Sequence, residues 1–282
     1  MRAVLARRDE NWKRLQQYVL DERERIDVRG PMALPLWGQL REYTWFPRDG
    51  RFVRSPLRVD GARVSDADRL AYEDEYLRRE TARDQRDQRN RSERESPSMS
   101  DADLPTPEAL AGQIRQPGFI SSAYFLRFHF EEGHYAMVGR EPLNGVETLR
   151  IEYYPTHLFS RAPSRPTRGG TRPSSDDPTD ALLDKVAQVT LWVEPGSKQV
   201  VRYTFDNIDF GFLPGRWLVR VTEARASMTM GQPFPDVWLP QHIDARVGLM
   251  LAAGTLDANY TIDYHDYKLA DVSTRVRIGP PQ

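Results

Sequence analysis

The chain has 282 residues, with 40 Lys and Arg against 41 Asp and Glu, no cysteine and a formal net charge of −1. That balance excludes the one-sided field of a nucleic-acid or anionic-membrane binder, so no nucleic-acid partner is expected. The missing thiols exclude disulfides, cysteine nucleophiles, cysteine zinc sites and an acylated cysteine anchor. The longest apolar runs, such as Val247 to Gly254, fall far below the ~20 residues that cross a bilayer, so no spanning helix is expected. The start carries basic residues without the apolar run of a secretory leader, which leaves a cytosolic protein or one whose leader has been removed.

In chain order, Val4 to Gln17 carries Leu5, Trp12 and Leu15 at helical spacing and predicts a short helix that packs on a sheet. From Tyr18 the period changes to two: Tyr18, Leu20, Ile26 and Val28 share one strand face, and Asp21, Arg23, Arg25 and Asp27 the other. Leu40–Phe46 and Phe52–Val59 form a hairpin about Pro47–Gly50. Ser65, with Asp68 three residues on, caps a charged helix running to Arg94 and docking through Leu70, Tyr72 and Tyr76. Ser96–Pro107 is too polar to order itself by burial. Thr106-Pro107-Glu108 starts another helix that turns Leu110 and Ile114 inward, and Ile120–Leu126 a further short one.

Tyr135–Arg140 and Glu147–Tyr154 form a hairpin across Pro142–Gly145, where Asn-Gly favours positive φ. Arg161–Asp177 is an aperiodic inserted loop. The remainder reads as a meander: Val186–Val193, Val200–Phe205, Trp217–Ala224, Ser227–Met230, Val237–Ala245 and Tyr260–Tyr267. About ten strands and a few helices make the chain mainly β, of the α+β class. They form an open, strongly curved antiparallel sheet, a half-barrel with helices on its concave face. It is read as a single domain over 1–282, with a charged insertion at about 65–105 and a flexible loop at about 161–177.

No nucleophile elbow, phosphate loop or dinucleotide fingerprint appears, and the histidines His129, His134, His157, His242 and His265 lack metal-ligand spacing. Asp263 and Asp266 flank His265, but alternation along a strand keeps the three from sharing a face, so a surface role is expected rather than base catalysis. The segment Arg78 to Arg94 interleaves both charge signs and reads as an exposed helix. No catalytic residue, metal or cofactor is expected, and the chain is read as a non-enzyme.

The informative feature is apolar. Tyr203, Phe205, Trp217, Val219, Met228, Met230, Trp238, Tyr260, Ile262 and Tyr264 recur mostly at alternate positions along successive strands and share one sheet face. In a closed barrel they fill the interior; in a half-open sheet they line a concave surface that helices or a ligand must cover. Methionine and aromatic rings suit acyl chains, each buried methylene contributing ~0.8 kcal/mol.

An N-terminal helix running into a strand, a hairpin closing at Pro47-Arg48-Asp49-Gly50-Arg51, and Val59-Asp-Gly-Ala-Arg-Val-Ser65 before a charged helix form a familiar pattern. With Val138–Gly145, Leu191–Gly196 and Phe234–Pro240, the chain resembles extracytoplasmic bacterial proteins of the LolA/LolB-like, outer-membrane lipoprotein-sorting class. The resemblance implies an incomplete barrel in the periplasm whose concave apolar face shields lipid or the acyl chains of a lipoprotein. It also implies a helical lid, placed at Thr106 to Leu126 with Leu110, Ile114 and Tyr124. The alternative on the same fold is an envelope sensor or interaction module that binds a protein partner.

Overall fold

A computed structural model of the chain describes residues 1–48, 50–92, 125, 126, 128, 130, 133–155, 187–207, 219–251 and 254–270. Helix α1 (Arg2–Leu15) leads into β1 (Tyr18–Arg29), followed by β2 (Pro35–Arg48), β3 (Arg51–Val59), the two-residue β4 (Ala62–Arg63) and helix α2 (Asp66–Ser92). Strands β5 (Gly133–Leu143), β6 (Val146–Pro155), β7 (Ala187–Glu194), β8 (Gln199–Asn207), β9 (Val219–Phe234), β10 (Val237–Leu251) and β11 (Gly254–Leu269) complete the described elements.

All eleven strands join one antiparallel sheet in the order β4-β3-β2-β1-β11-β10-β9-β8-β7-β6-β5. Each neighbour along that order is also a neighbour in sequence, except that β1 pairs with β11 and so joins the first hairpins to the last. The sheet is open: β4 and β5 end it and do not pair with each other. This is the open curved antiparallel sheet expected from the sequence.

Local chemistry accounts for the turns. Asn144 and Gly145 both adopt positive φ, 53° and 80°, which matches the right-handed twist of β5 and β6. Gly50, at φ 73°, sits in the β2–β3 turn that the Arg48↔Arg51 pair closes. Ser65 Oγ accepts from the Asp68 N–H at 3.1 Å and donates to the Asp68 carboxylate at 2.7 Å, the reciprocal cap that starts α2. Tyr72 and Tyr76 then dock on Tyr43 and Trp45, with centroids 6.3 and 6.2 Å apart.

Three expectations are corrected. Leu70 does not dock α2 but is 55% exposed; the inward position belongs to Glu73, which is buried and pairs with Arg48 at 3.1 Å. Ser227–Met230 is not a strand of its own but the middle of β9, because no glycine or proline interrupts Val221–Met230. Strands β2, β10 and β11 extend well beyond the segments first read, since pairing with β1, β9 and each other continues along the added ends. The helix starting at Thr106, most of the Ile120–Leu126 helix and the 161–177 loop lie outside the described residues.

Candidate functional site

The sheet register aligns one row of side chains across the covered face. Leu191 pairs with Tyr203, Tyr203 with Met228, Met228 with Ile243, Ile243 with Ile262, Ile262 with Glu24, and Glu24 with Arg41. From Leu191 to Glu24 none of these residues is more than 1% exposed. Parallel to it, Phe205, Ala226, Ala245, Tyr260 and Ile26 form a second row. Over β7 to β11 these two rows are hydrocarbon and aromatic ring, and at β1 the first of them becomes charged.

Among the described residues, α1 and three phenylalanines cover the apolar part. Helix α1 buries Val4, Asn11 and Leu15 against β8 and β10, with Trp12 packed alongside. Phe125 and Phe128 stand edge-on to Phe205, with centroids 5.1 and 4.8 Å away, and Phe130 meets Tyr153 at 5.0 Å. Polar bonds hold α1 in place. Asn11 donates to the buried Gln199 at 2.9 Å, Arg8 to the Phe128 carbonyl at 2.6 Å, and Arg14 to the Asp236 carbonyl at 3.1 Å. Beneath the helix the Tyr203 hydroxyl is fully buried without a hydrogen-bond partner among the described residues, and burial pushes its pKa up.

The charged end was not legible as a site from the sequence. Glu22, Glu24 and Arg54 are 1%, 0% and 4% exposed. One Arg54 nitrogen donates to both carboxylates; its guanidinium lies 3.5 Å from the Tyr43 ring centroid and 5.8 Å from that of Trp45. The Trp45 N–H donates to Glu22 at 2.5 Å, and Arg41 reaches Glu24 at 3.4 Å. Burial raises the Glu24 carboxyl above its ordinary range, although Arg54 pulls the other way. Burial also pushes Tyr43 up to about 12 and Tyr260 well above the phenol range. The only available signal was parity: Glu22 and Glu24 alternate with Leu20 and Ile26 on the same strand face.

Of the residues singled out from the sequence, Tyr203, Phe205, Met228, Met230, Ile262 and Tyr264 meet in one buried cluster, with Trp238 and Tyr260 packed against it. Val219 begins β9, and its side chain lies outside the described residues, as do Trp217 and the lid residues Leu110, Ile114 and Tyr124. His265 is exposed and sits 2.8 Å from Asp266, while Asp263 turns to His242 at 2.7 Å. Among the described residues, His265, Asp266 and Asp21 form a surface group with ligand atoms within 4.8 Å of one another. No described helix is long and apolar enough to cross a membrane.

No family model matches the chain, and no curated protein matches it. Among solved structures, it aligns over 96% of its length and 94% of the other chain with a Vibrio parahaemolyticus domain described as an outer membrane lipoprotein-sorting protein, at 9% identity and a TM-score of 0.37. The chain is similar to a lipoprotein-sorting domain. A DUF1329 family protein from Desulfovibrio piger aligns over 96% and 92%, at 10% identity and a TM-score of 0.34. Pseudomonas aeruginosa MucB, solved in complex with MucA, aligns over 92% and 94%, at 10% identity and a TM-score of 0.20. The fold itself rests on the strand order and register above.

Proposed function

We propose that this chain is a non-catalytic, single-domain periplasmic carrier that shields acyl chains of a lipid or lipoprotein against the inner face of its sheet. One observation carries the reading. A continuous buried row runs across five strands as hydrocarbon and aromatic ring, ends at a charged group on β1, and is roofed, among the described residues, by α1 and a few phenylalanines. That is the polarity profile of an amphiphile, with an apolar trough for the chain and charged side chains for the head. Tyr203, Phe205, Met228, Met230, Trp238, Tyr260, Ile262 and Tyr264 would contact the acyl chain, and Trp217 and Val219 are assigned the same role. The trough is filled by its own side chains when covered, so a guest enters as α1 and the segment ahead of Phe128 lift, the role assigned to Leu110, Ile114 and Tyr124.

The test is native mass spectrometry of the full chain after phosphatidylglycerol, and separately a palmitoylated peptide, has been offered. A bound acylated species at one or two equivalents supports the carrier. A chain that stays empty across repeated preparations overturns it, and a stoichiometric lipid-free complex with an envelope protein would transfer the fold to the sensor reading.

A further inference from the structure

Asp21, His265 and Asp266 come together on the face of the sheet opposite the covered one. On β1, Asp21 alternates with the buried Leu20 and Glu22, so its side chain leaves the other side of the sheet. Its partner across the β1–β11 pairing is His265. Plain alternation along β11 would turn Asp266 away from His265. The register slips there instead: Val19 pairs with Lys268 and Asp21 with His265, so Leu20 alone on β1 faces both Asp266 and Tyr267. Asp266 takes φ 55° in this bulge, and a bulge re-aims the side chain it carries. Its carboxylate meets His265 Nδ1 at 2.8 Å, and the ligand atoms of the three residues lie within 4.8 Å of one another.

The charge of the group is unbalanced. Asp21 is half-buried and has no hydrogen-bond or ion-pair partner among the described residues. Arg58, Arg63 and Arg69 line the cavity beside it but are held elsewhere, Arg58 by Glu42 at 3.5 Å and the other two by Asp66 at 3.7 and 3.8 Å. Two carboxylates this close disfavour each other's charge unless a cation stands between them. His242 gives the contrast. It pairs with Asp263 at 2.7 Å across β10 and β11, and among the described residues no third ligand joins that pair.

The donor set selects the ion. Calcium and magnesium take oxygen ligands, and monovalent copper takes sulfur. One imidazole nitrogen with two carboxylate oxygens suits zinc, which accepts three protein ligands and leaves a fourth position to water. Ligand atoms ~2.0–2.2 Å from zinc stand roughly 3.3–3.6 Å apart in a tetrahedron. His265 and Asp266, both exposed, part slightly to reach that spacing, and Asp21 closes toward them.

We infer that Asp21, His265 and Asp266 form a zinc site that clips β1 to β11. That pairing is where strands distant in sequence join the sheet, so the ion ties the first hairpins to the last. Folding alone brings these ligands together, so an ion bound there stabilises the folded chain. The site lies on the other face of the sheet from the buried apolar row and does not depend on what that row holds.

The test is isothermal titration calorimetry of the metal-free full chain with zinc chloride, followed by thermal unfolding with and without the ion. The wild type binds zinc, and its unfolding midpoint rises with it. Asp21→Asn and His265→Gln each bind at least roughly tenfold more weakly, the least that loss of even an outer partner of a metal ligand costs, and their midpoints no longer respond. His242→Gln binds and responds like the wild type. Circular dichroism confirms that each variant is folded. A wild type that takes up no zinc overturns the inference, as does binding that survives Asp21→Asn and His265→Gln, which places the ion at other residues. An equal loss in His242→Gln overturns it too, as does zinc bound with no rise in the midpoint. Calcium or magnesium bound more tightly than zinc also overturns it, since neither ion calls for the imidazole.

Discussion

Replacing Arg54 with methionine removes the one cation in contact with both buried carboxylates. Glu22 and Glu24, 1% and 0% exposed, then face each other in the interior, and among the described residues the cation left beside them is Arg41, 3.4 Å from Glu24. Breaking such a group by deleting one partner costs about 3–5 kcal/mol, because the charge left behind is desolvated and uncompensated. At roughly 2–4 °C per kcal/mol for a chain of this size, the midpoint falls by roughly 6–20 °C. The loss depends on pH in a definite direction. Burial already holds the Glu24 carboxyl above its ordinary value, and removing Arg54, which opposes that shift, raises it further. A carboxyl raised in the folded state favours folding below its unfolded value, and that contribution disappears as pH climbs through the folded one. Thermal unfolding followed by circular dichroism should therefore show a larger deficit at about pH 8 than at about pH 5. The triple replacement E22L/E24L/R54M should recover most of it, since exchanging a buried charge group for hydrophobic residues of similar volume is often neutral or stabilising. A deficit below about 1 kcal/mol, or one equal at both pH values, refutes the assignment of a charged buried cluster.

Three further outcomes follow from the geometry. Asn11→Ala leaves the buried Gln199 Oε1 without its donor and should cost about 1–3 kcal/mol in urea unfolding; under the carrier reading it also speeds uptake of a fluorescent fatty acid, and an unchanged midpoint and rate contradict a role for this bond in holding α1 down. Tyr203→Phe deletes a buried hydroxyl that has no partner among the described residues, so stability should hold or rise, and a loss above about 1 kcal/mol shows that the hydroxyl is bonded. Gly145→Ala forces a side chain to φ 80° and should cost about 1–2 kcal/mol, whereas Gly139→Ala, with equally open space and no positive φ, should cost nothing; equal midpoints for the two refute a conformational cause.

Much of the fold was legible before any coordinates. Ser65 with Asp68, Asn144-Gly145 and the alternation from Tyr18 to Val28 each act within a few residues, so their consequences could be read locally. Tyr203, Met228 and Ile262 could be placed on one face by parity alone, and they do meet. Leu70 misled because an apolar residue at helical spacing does not say which of the helix's faces the sheet accepts. Glu22 and Glu24 escaped notice because charged residues in a strand are normally assigned to water. Their burial depends on Arg54, 30 residues and two strands away, whose arrival beside them is set by the β1–β2–β3 register.

By itself the sequence determined the elements: where strands turn, where α1 and α2 begin, and which residues alternate toward a common face, because sterics, capping and hydrophobic period act over short range. The tertiary structure decided what the chain order does not encode locally. It joined β1 to β11, carried the apolar row across to Glu24, closed that row under α1, and set Asp21 beside His265 and Asp266. Each depends on contacts between residues far apart in the chain, which exist only once loop closure has been repaid by burial on the shared face.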